Sequence, residues 1–306
     1  MFNLIMKVSV LLPNIFDHPF TYKSKLTKKL KLGDFVKVPF GSKEIIGVVW
    51  DFEIKVTKKI KIKNVISKID VPRMNVKLMK FISWFSKYNM SPLGMTLKMA
   101  LLNKQPVEKQ SNIDFKKFNS IYKKMLFELN KEQKKSLYDL TNFGNKYNVT
   151  VLEGVTGSGK TLVYFERIRD IIKKGSQALV MLPEIVLTEQ FSQRFRDFFG
   201  FEPAIWHSNI SKKKKKIIWR GVIENKIKLV IGARSSLFLP FKKLGIIIVD
   251  EEHDVSYKQN EGITYNARDM AITRSLIENI PIHLVTSIPS IETFNNILNK
   301  KYNITF

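Results

Sequence analysis

Over the first seventy residues apolar and polar positions alternate. Segments 7–12 and 34–39 follow a one-in-two pattern and 45–50 is a continuous apolar run, with Pro13, Asn14, Gly33, Gly41 and Ser42 between them. Period two punctuated by turn formers predicts short strands. From Asn75 the period lengthens, because Leu78, Met79, Phe81, Ile82, Phe85 and Ser86 recur at helical spacing until Ser91-Pro92. A helix should therefore close a β-rich module spanning 1–103. Residues 104–128 are polar and Lys-rich and read as a linker or a short, poorly packed helix.

After Leu129 the rhythm changes again. Apolar segments Val149–Glu153, 177–182, 228–232, 245–250 and Ile282–Thr286 are strand-sized, and helical stretches separate them. Apolar runs alternating with helices predict an α/β fold, a parallel sheet with helices on both faces, over 129–306. The sequence shows no internal repeat.

Composition adds a bias of charge. The chain has 306 residues, with 52 Lys and Arg against 27 Asp and Glu, a formal +25. Such an excess draws a protein to polyanions, although a sequence rich in Lys, Ile, Asn and Phe together is also what AT-rich coding produces. The absence of cysteine rules out disulfides, thiolate zinc sites and a cysteine nucleophile, and suits a reducing cytoplasm. No secretion signal is legible, and no run reaches the ~18 apolar residues of a membrane span, so no membrane partner is expected.

The sharpest chemical signal is Gly154-Val155-Thr156-Gly157-Ser158-Gly159-Lys160-Thr161, directly after an expected strand and before an expected helix. This pattern turns backbone N–H groups onto phosphate oxygens, places the Lys160 charge near the β- and γ-phosphates and offers the Thr161 hydroxyl to Mg²⁺. Further on, an apolar strand ends in Asp250-Glu251-Glu252-His253. Its tip should face the same crevice, where Asp250 can share in holding Mg²⁺ and Glu251 can orient water. Gln133, in Asn130-Lys131-Glu132-Gln133, could read an adenine edge, but a helix cap is the simpler account. Tyr257, Lys258, Tyr265 and Arg268 lie on a loop past the acidic box, as a base-stacking platform or as ordinary loop anchors. The five-lysine run 212–216 behind Ser211 reads as a solvated helix face, and His207 as a loop residue.

In order along the chain, GVTGSGKT, LPEIVLTEQ, WHSNIS, IGARSSLFLPFKKLGIIIVDEEHD and SYKQNEGITYNARDMA resemble the motifs of the PriA family of replication-restart helicases, whose acidic box is of the DEAH type. The resemblance implies a P-loop, RecA-like helicase lobe behind a small 3′-end-binding domain, ATP and Mg²⁺ as cofactors, a role for His253 in the catalytic box and 3′–5′ movement on DNA. It also implies that stalled forks are recognised and primosome assembly initiated, with single-stranded-DNA-binding protein and other primosome proteins as partners. It further raises the 256–271 loop to a DNA-coupling element. In the first module it places Phe16, Asp17, Gly41 and Lys63 at a pocket for the DNA 3′ end, where Phe16 stacks on the terminal base, Asp17 accepts from the 3′-OH and Lys63 meets a phosphate. Without it, Phe16 reads as core and Lys63 as a solvated charge.

The sequence departs from the family in four places. Only 104–128 is available for a winged-helix domain. The third motif, Ser-Ala-Thr in the family, reads Thr286-Ser287-Ile288 ahead of Pro289-Ser290. The family's zinc-binding cysteines are absent, and the chain ends at Phe306 before a second helicase lobe. Three expectations stay open: a restart helicase, whether a truncated record or completed by another chain; a non-catalytic remnant that binds fork DNA and ATP; and a P-loop ATPase with another partner.

Overall fold

A computed structural model describes residues 6–26, 29–52, 62–101, 115–118, 128–186 and 189–306. The chain divides into two compact units, 1–113 with 212–224 and 114–211 with 225–306. Of the expected linker, most lies outside the described residues; Phe115 and Phe118, at a short 3-10 turn, are buried. No helix among the described residues is long and apolar enough to cross a membrane.

The first unit is built on five antiparallel strands, β1 (Met6–Leu11), β2 (Phe20–Ser24), β3 (Phe35–Phe40), β4 (Lys43–Asp51) and β5 (Ser67–Lys68), in the order β2-β1-β4-β3-β5. Val8, Val10, Val36, Val38 and Val49 fill its core, the burial that the period-two pattern anticipates. Gly47 is required where β4 pairs with β1, because a Cβ there would meet Val10 Cγ1 at 2.6 Å and the Leu11 carbonyl oxygen at 2.7 Å. Helix α1 (Val76–Tyr88) starts where expected, with the Asn75 side chain accepting from the Lys77 N–H. Helix α1 ends before Ser91-Pro92 as the pattern predicts, but Pro92 does not end helical structure. It opens a second helix, α2 (Leu93–Ala100), since proline serves a first turn as well as it stops a last one.

The second unit holds a seven-stranded sheet, parallel throughout. It comprises β6 (Val149–Glu153), β7 (Gln177–Met181), β8 (Ala204–Trp206), β9 (Leu229–Gly232), β10 (Leu244–Asp250), β13 (Ile282–Thr286) and β14 (Asn303–Thr305), ordered β14-β6-β13-β10-β7-β9-β8. Helices α3 (Lys131–Asn142), α4 (Lys160–Lys173), α5 (Glu189–Phe199), α7 (Ala267–Glu278) and α8 (Ile291–Leu298) accompany it, and Lys258–Gln259 (β11) pairs with Tyr265–Asn266 (β12) as a short ribbon. Phe165, Phe195, Phe198 and Phe199 pack with Ile246, Ile248 and Val180 in the core. Val285 lies beside both Leu152 and Asp250, and Thr286 beside Glu153, so β6, β13 and β10 end level along one edge. The chain between β8 and β9 forms α6 (Lys212–Ile223), which belongs to the first unit.

Candidate functional site

Chemistry-bearing residues gather in two places, one in each unit. In the first, Phe16 is 39% exposed, not the core residue it reads as without the family resemblance. Its ring lies 5.4 Å from Phe20 at the start of β2 and 6.0 Å from Phe40 at the end of β3, edge-on to both, with His18 at 5.9 Å. Gly41, at φ +60°, turns the chain into β4, and the Lys63 ammonium donates to its carbonyl at 3.4 Å. One oxygen of Asp17 accepts the Leu93 N–H at 2.9 Å and so caps α2, while the Phe16 carbonyl accepts from the Gly94 N–H. Phe16, Gly41 and Lys63 thus meet around an exposed aromatic face bordered by a cation, with Asp17 adjoining in the chain.

In the second unit, the loop 154–159 connects β6 to α4. Gly157 and Gly159 sit at φ +84° and +85°, where side-chain-bearing residues are strained. Gly159 is doubly constrained, since a Cβ there would lie 2.3 Å from the Gln133 amide nitrogen. That amide donates to the Ser158 carbonyl at 2.9 Å, while its oxygen accepts the Asn130 N–H in a complete capping box. Gln133 therefore caps α3 and braces the loop. The Gly154 N–H donates to the Thr286 carbonyl, tying the loop to β13, and the Lys160 ammonium donates to the carbonyls of Gly154 at 2.5 Å and Val155 at 3.1 Å.

Asp250 ends β10 almost fully buried. Burial pushes its carboxyl up to about 6, against the Tyr164 hydrogen bond that favours its charge, and the neighbouring Glu251 adds to the rise. Tyr164 donates to its Oδ2 at 2.8 Å and the Glu251 N–H to its Oδ1 at 3.0 Å. Glu251 adopts φ +49°, a left-handed conformation that costs a non-glycine residue on the order of 1 kcal/mol and that collects at functional sites. Thr156, Gly157, Lys160, Thr161, Asp250 and Glu251 line one cavity of about 690 Å³, whose far wall includes Phe191, Arg194 and Asp197 of α5.

Residues 130–287 match the model of the DEAD/DEAH box helicases. The chain belongs to that family. Residues 7–102 match the PriA 3′ DNA-binding domain. The chain is 44% identical over 299 residues to the replication restart protein PriA of Rickettsia felis, covering 96% of this chain and 45% of that protein. The protein of the same name from Rickettsia conorii is 45% identical over 297 residues, with the same coverage. That of Helicobacter pylori is 33% identical over 282 residues, or 92% of this chain and 43% of that one. The chain spans a little under half the length of these relatives.

In this member of the DEAD/DEAH box helicase family, the box Asp250-Glu251-Glu252-His253 joins several elements. His253 Nδ1 lies 2.7 Å from the Thr286 hydroxyl, which donates to the Ile288 carbonyl. The hydroxyl oxygen is then left as acceptor, which assigns the imidazole proton to Nδ1. The Thr286 hydroxyl thus ties the third motif to the box. Glu252 is buried and accepts from the Ser290 N–H at 2.7 Å, the Thr293 hydroxyl at 2.9 Å and Arg268 at 3.1 Å, linking the box to α7 and α8.

Burial corrects the expected stacking platform. Tyr257 is 1% exposed, with its hydroxyl set between the carbonyls of Asp250 at 2.6 Å and Met181 at 2.9 Å, and Tyr265 is 4% exposed. Their rings supply apolar area to the core and offer no face to a base. Arg268 is also buried: burial works against its charge, but Asp269 and Glu252 outweigh that and hold its pKa up. Only Lys258 of that group is exposed. Sequence reading overlooked Tyr164, although its place one turn after Lys160, on the face that carries the loop lysine, was a usable signal. It also passed over Arg194 and Asp197, for which the sequence offers no local motif.

Proposed function

We propose that the chain acts as an ATP-dependent DNA helicase or translocase in replication restart, engaging DNA by a 3′ end through the first unit and ATP through the second. The observation that carries this reading is the level ending of β6, β13 and β10, which sets Lys160, Asp250 and Glu251 around one cavity.

The residues fit a magnesium nucleotide. Left-handed glycines and the start of α4 turn N–H groups outward, where phosphate oxygens replace the loop carbonyls as partners for Lys160. Thr161 and Asp250 would hold Mg²⁺, and the burial that raises Asp250 makes its charge strong once a cation faces it. When bound, the nucleotide supplies the bond to be cleaved and the metal the positive charge that stabilises the leaving oxygens. Glu251 is the group to orient water, and its strained backbone fixes the carboxylate beside Asp250. His253, held through Thr286, lies 3.8 Å from Glu251, near enough to act on the same water. Gln133 sits where it can sense the loop.

At the first site, Phe16 would stack on a terminal base, Gly41 leave room for the sugar, Lys63 meet a phosphate and Asp17 accept from the 3′-OH. Support comes from the match of 7–102 and from the names of the relatives. The motif resemblance noted in the sequence extends the proposal to 3′–5′ polarity, to primosome proteins and single-stranded-DNA-binding protein as partners, and to a cytoplasmic location. The test is ATP hydrolysis with and without forked DNA carrying a free 3′ end. The reading expects DNA-stimulated turnover that Glu251→Gln abolishes; tight fork binding with no turnover would reduce the chain to a DNA- and ATP-binding protein.

A further inference from the structure

The two units differ in charge more than in size. Residues 1–113 and 212–224 carry 27 Lys and Arg against 8 Asp and Glu, a formal +19, while 114–211 and 225–306 carry 25 against 19, a formal +6. A general drift toward lysine would act on both units and would not thin the carboxylates of one. Helix α6 concentrates this charge, because it opens with five lysines, of which Lys212, Lys213 and Lys214 are exposed. Local physics opposes that arrangement. A helix N-terminus repels cations, no acid stands in the first turn, and Lys212 faces Lys215 and Lys216 at spacings that bring like charges together.

Packing holds the helix in spite of this. Trp219 is fully buried, its ring 5.7 Å from Phe35 of β3 and its indole N–H donating to the Ala100 carbonyl at 2.9 Å. Arg220 donates to the Asp70 carbonyl at 3.0 Å. A locally unfavourable charge kept on a rigid support marks a functional surface.

We propose that Lys212–Lys216 binds the phosphate backbone of the DNA strand whose 3′ end sits at Phe16, Gly41 and Lys63; this rests on the reading of the first unit as a 3′-end site. Strand β3 links the two places, with Phe35 against Trp219 at one end and Phe40 in the pocket at the other. Six residues of strand span ~17 Å, and Trp219 lies ~10 Å along the helix from Lys212. The lysines are then within roughly 30 Å of the pocket, or about nine nucleotides at ~3.4 Å each.

The experiment titrates the full chain with a trinucleotide and with a 20-nucleotide strand, both ending in a free 3′-OH, over a range of salt. For the triple variant Lys212→Gln, Lys213→Gln, Lys216→Gln, binding of the 20-mer should weaken about fivefold per lysine near 0.1 M salt, and the slope of log K against log salt should fall by ~0.7 for each. The trinucleotide should bind as in the unaltered chain. Phe16→Ala serves as the separate control, weakening both ligands if the pocket is correctly read. If Phe16→Ala has no effect while the lysine variant loses the 20-mer, the pocket reading falls and the lysine contact stands. An unchanged 20-mer affinity and salt slope in a folded triple variant would overturn the proposal, as would equal losses on both ligands.

Discussion

The first unit leaves the Phe16 cluster partly open to solvent and carries an excess of cations in its sequence; the second buries the Asp250 carboxyl against a tyrosine. Phe16 is 39% exposed and Asp250 is 7% exposed. The formal charges run the same way, +19 against +6. A long polyanion is attracted from a distance and must be able to slide, which favours exposed, interchangeable charges. A nucleotide is held at a single point, where exact orientation and low dielectric make each charge count for more. On the proposed function, the contrast is between two kinds of anion site in one chain, built by opposite treatments of water.

The largest expected effect is on the support of α6. Trp219→Ala should destabilise the first unit by about 3–5 kcal/mol, since a fully buried indole and its hydrogen bond are lost. Thermal unfolding followed by DNA binding should show the loss, with nucleotide affinity unaltered in the folded protein. If nucleotide affinity fell in parallel, the separation of roles would be wrong. Lys160→Ala should weaken nucleotide binding by about 10–100-fold, the loss of a charge-assisted contact worth ~1.5–3 kcal/mol, and leave DNA binding intact in equilibrium titrations. Phe16→Ala should cost about 1–3 kcal/mol of affinity for a 3′-ended strand, the usual worth of one stacked base.

The smallest effect concerns pH. Burial disfavours the charge of Asp250 and lifts its carboxyl in the folded chain to about 6, from the ordinary value of 3.8. The penalty for ionising it is therefore complete above about 6 and is relieved as pH falls toward 3.8, so this residue makes the fold more stable on mild acidification. Binding of the magnesium nucleotide needs the ionised form and should run the other way, weakening by up to about 1.4 kcal/mol per pH unit below about 6. Calorimetric titrations from pH 7.5 to 5 would measure both trends, and Asp250→Asn should flatten them.

Much of this was legible in the sequence, for a physical reason. The phosphate loop depends on glycines at fixed spacing, and the strands beside it are buried on both faces, so their apolar runs stand out. Short edge elements gave no such signal. Strands β8 and β14 have three residues each, too few for a period, and α2 hid behind a proline that reads as a stop. The loop tyrosines misled because burial is a tertiary property: Tyr257 sits among charged residues in sequence yet lies beneath β10 and β7 through its hydrogen bonds to their carbonyls. The membership of α6 in the first unit was illegible, since only the fold brings Trp219 to Phe35.

The central claim of the proposed function is that a DNA 3′ end held by the first unit sets the rate of ATP hydrolysis in the second. The most direct measurement compares ATP turnover in the presence of two otherwise identical forks, one ending in a 3′-OH and one in a 3′-phosphate. The account predicts strong stimulation by the free 3′-OH, little by the blocked end, and loss of the difference in Phe16→Ala. Equal stimulation by both forks, or none by either, would contradict it.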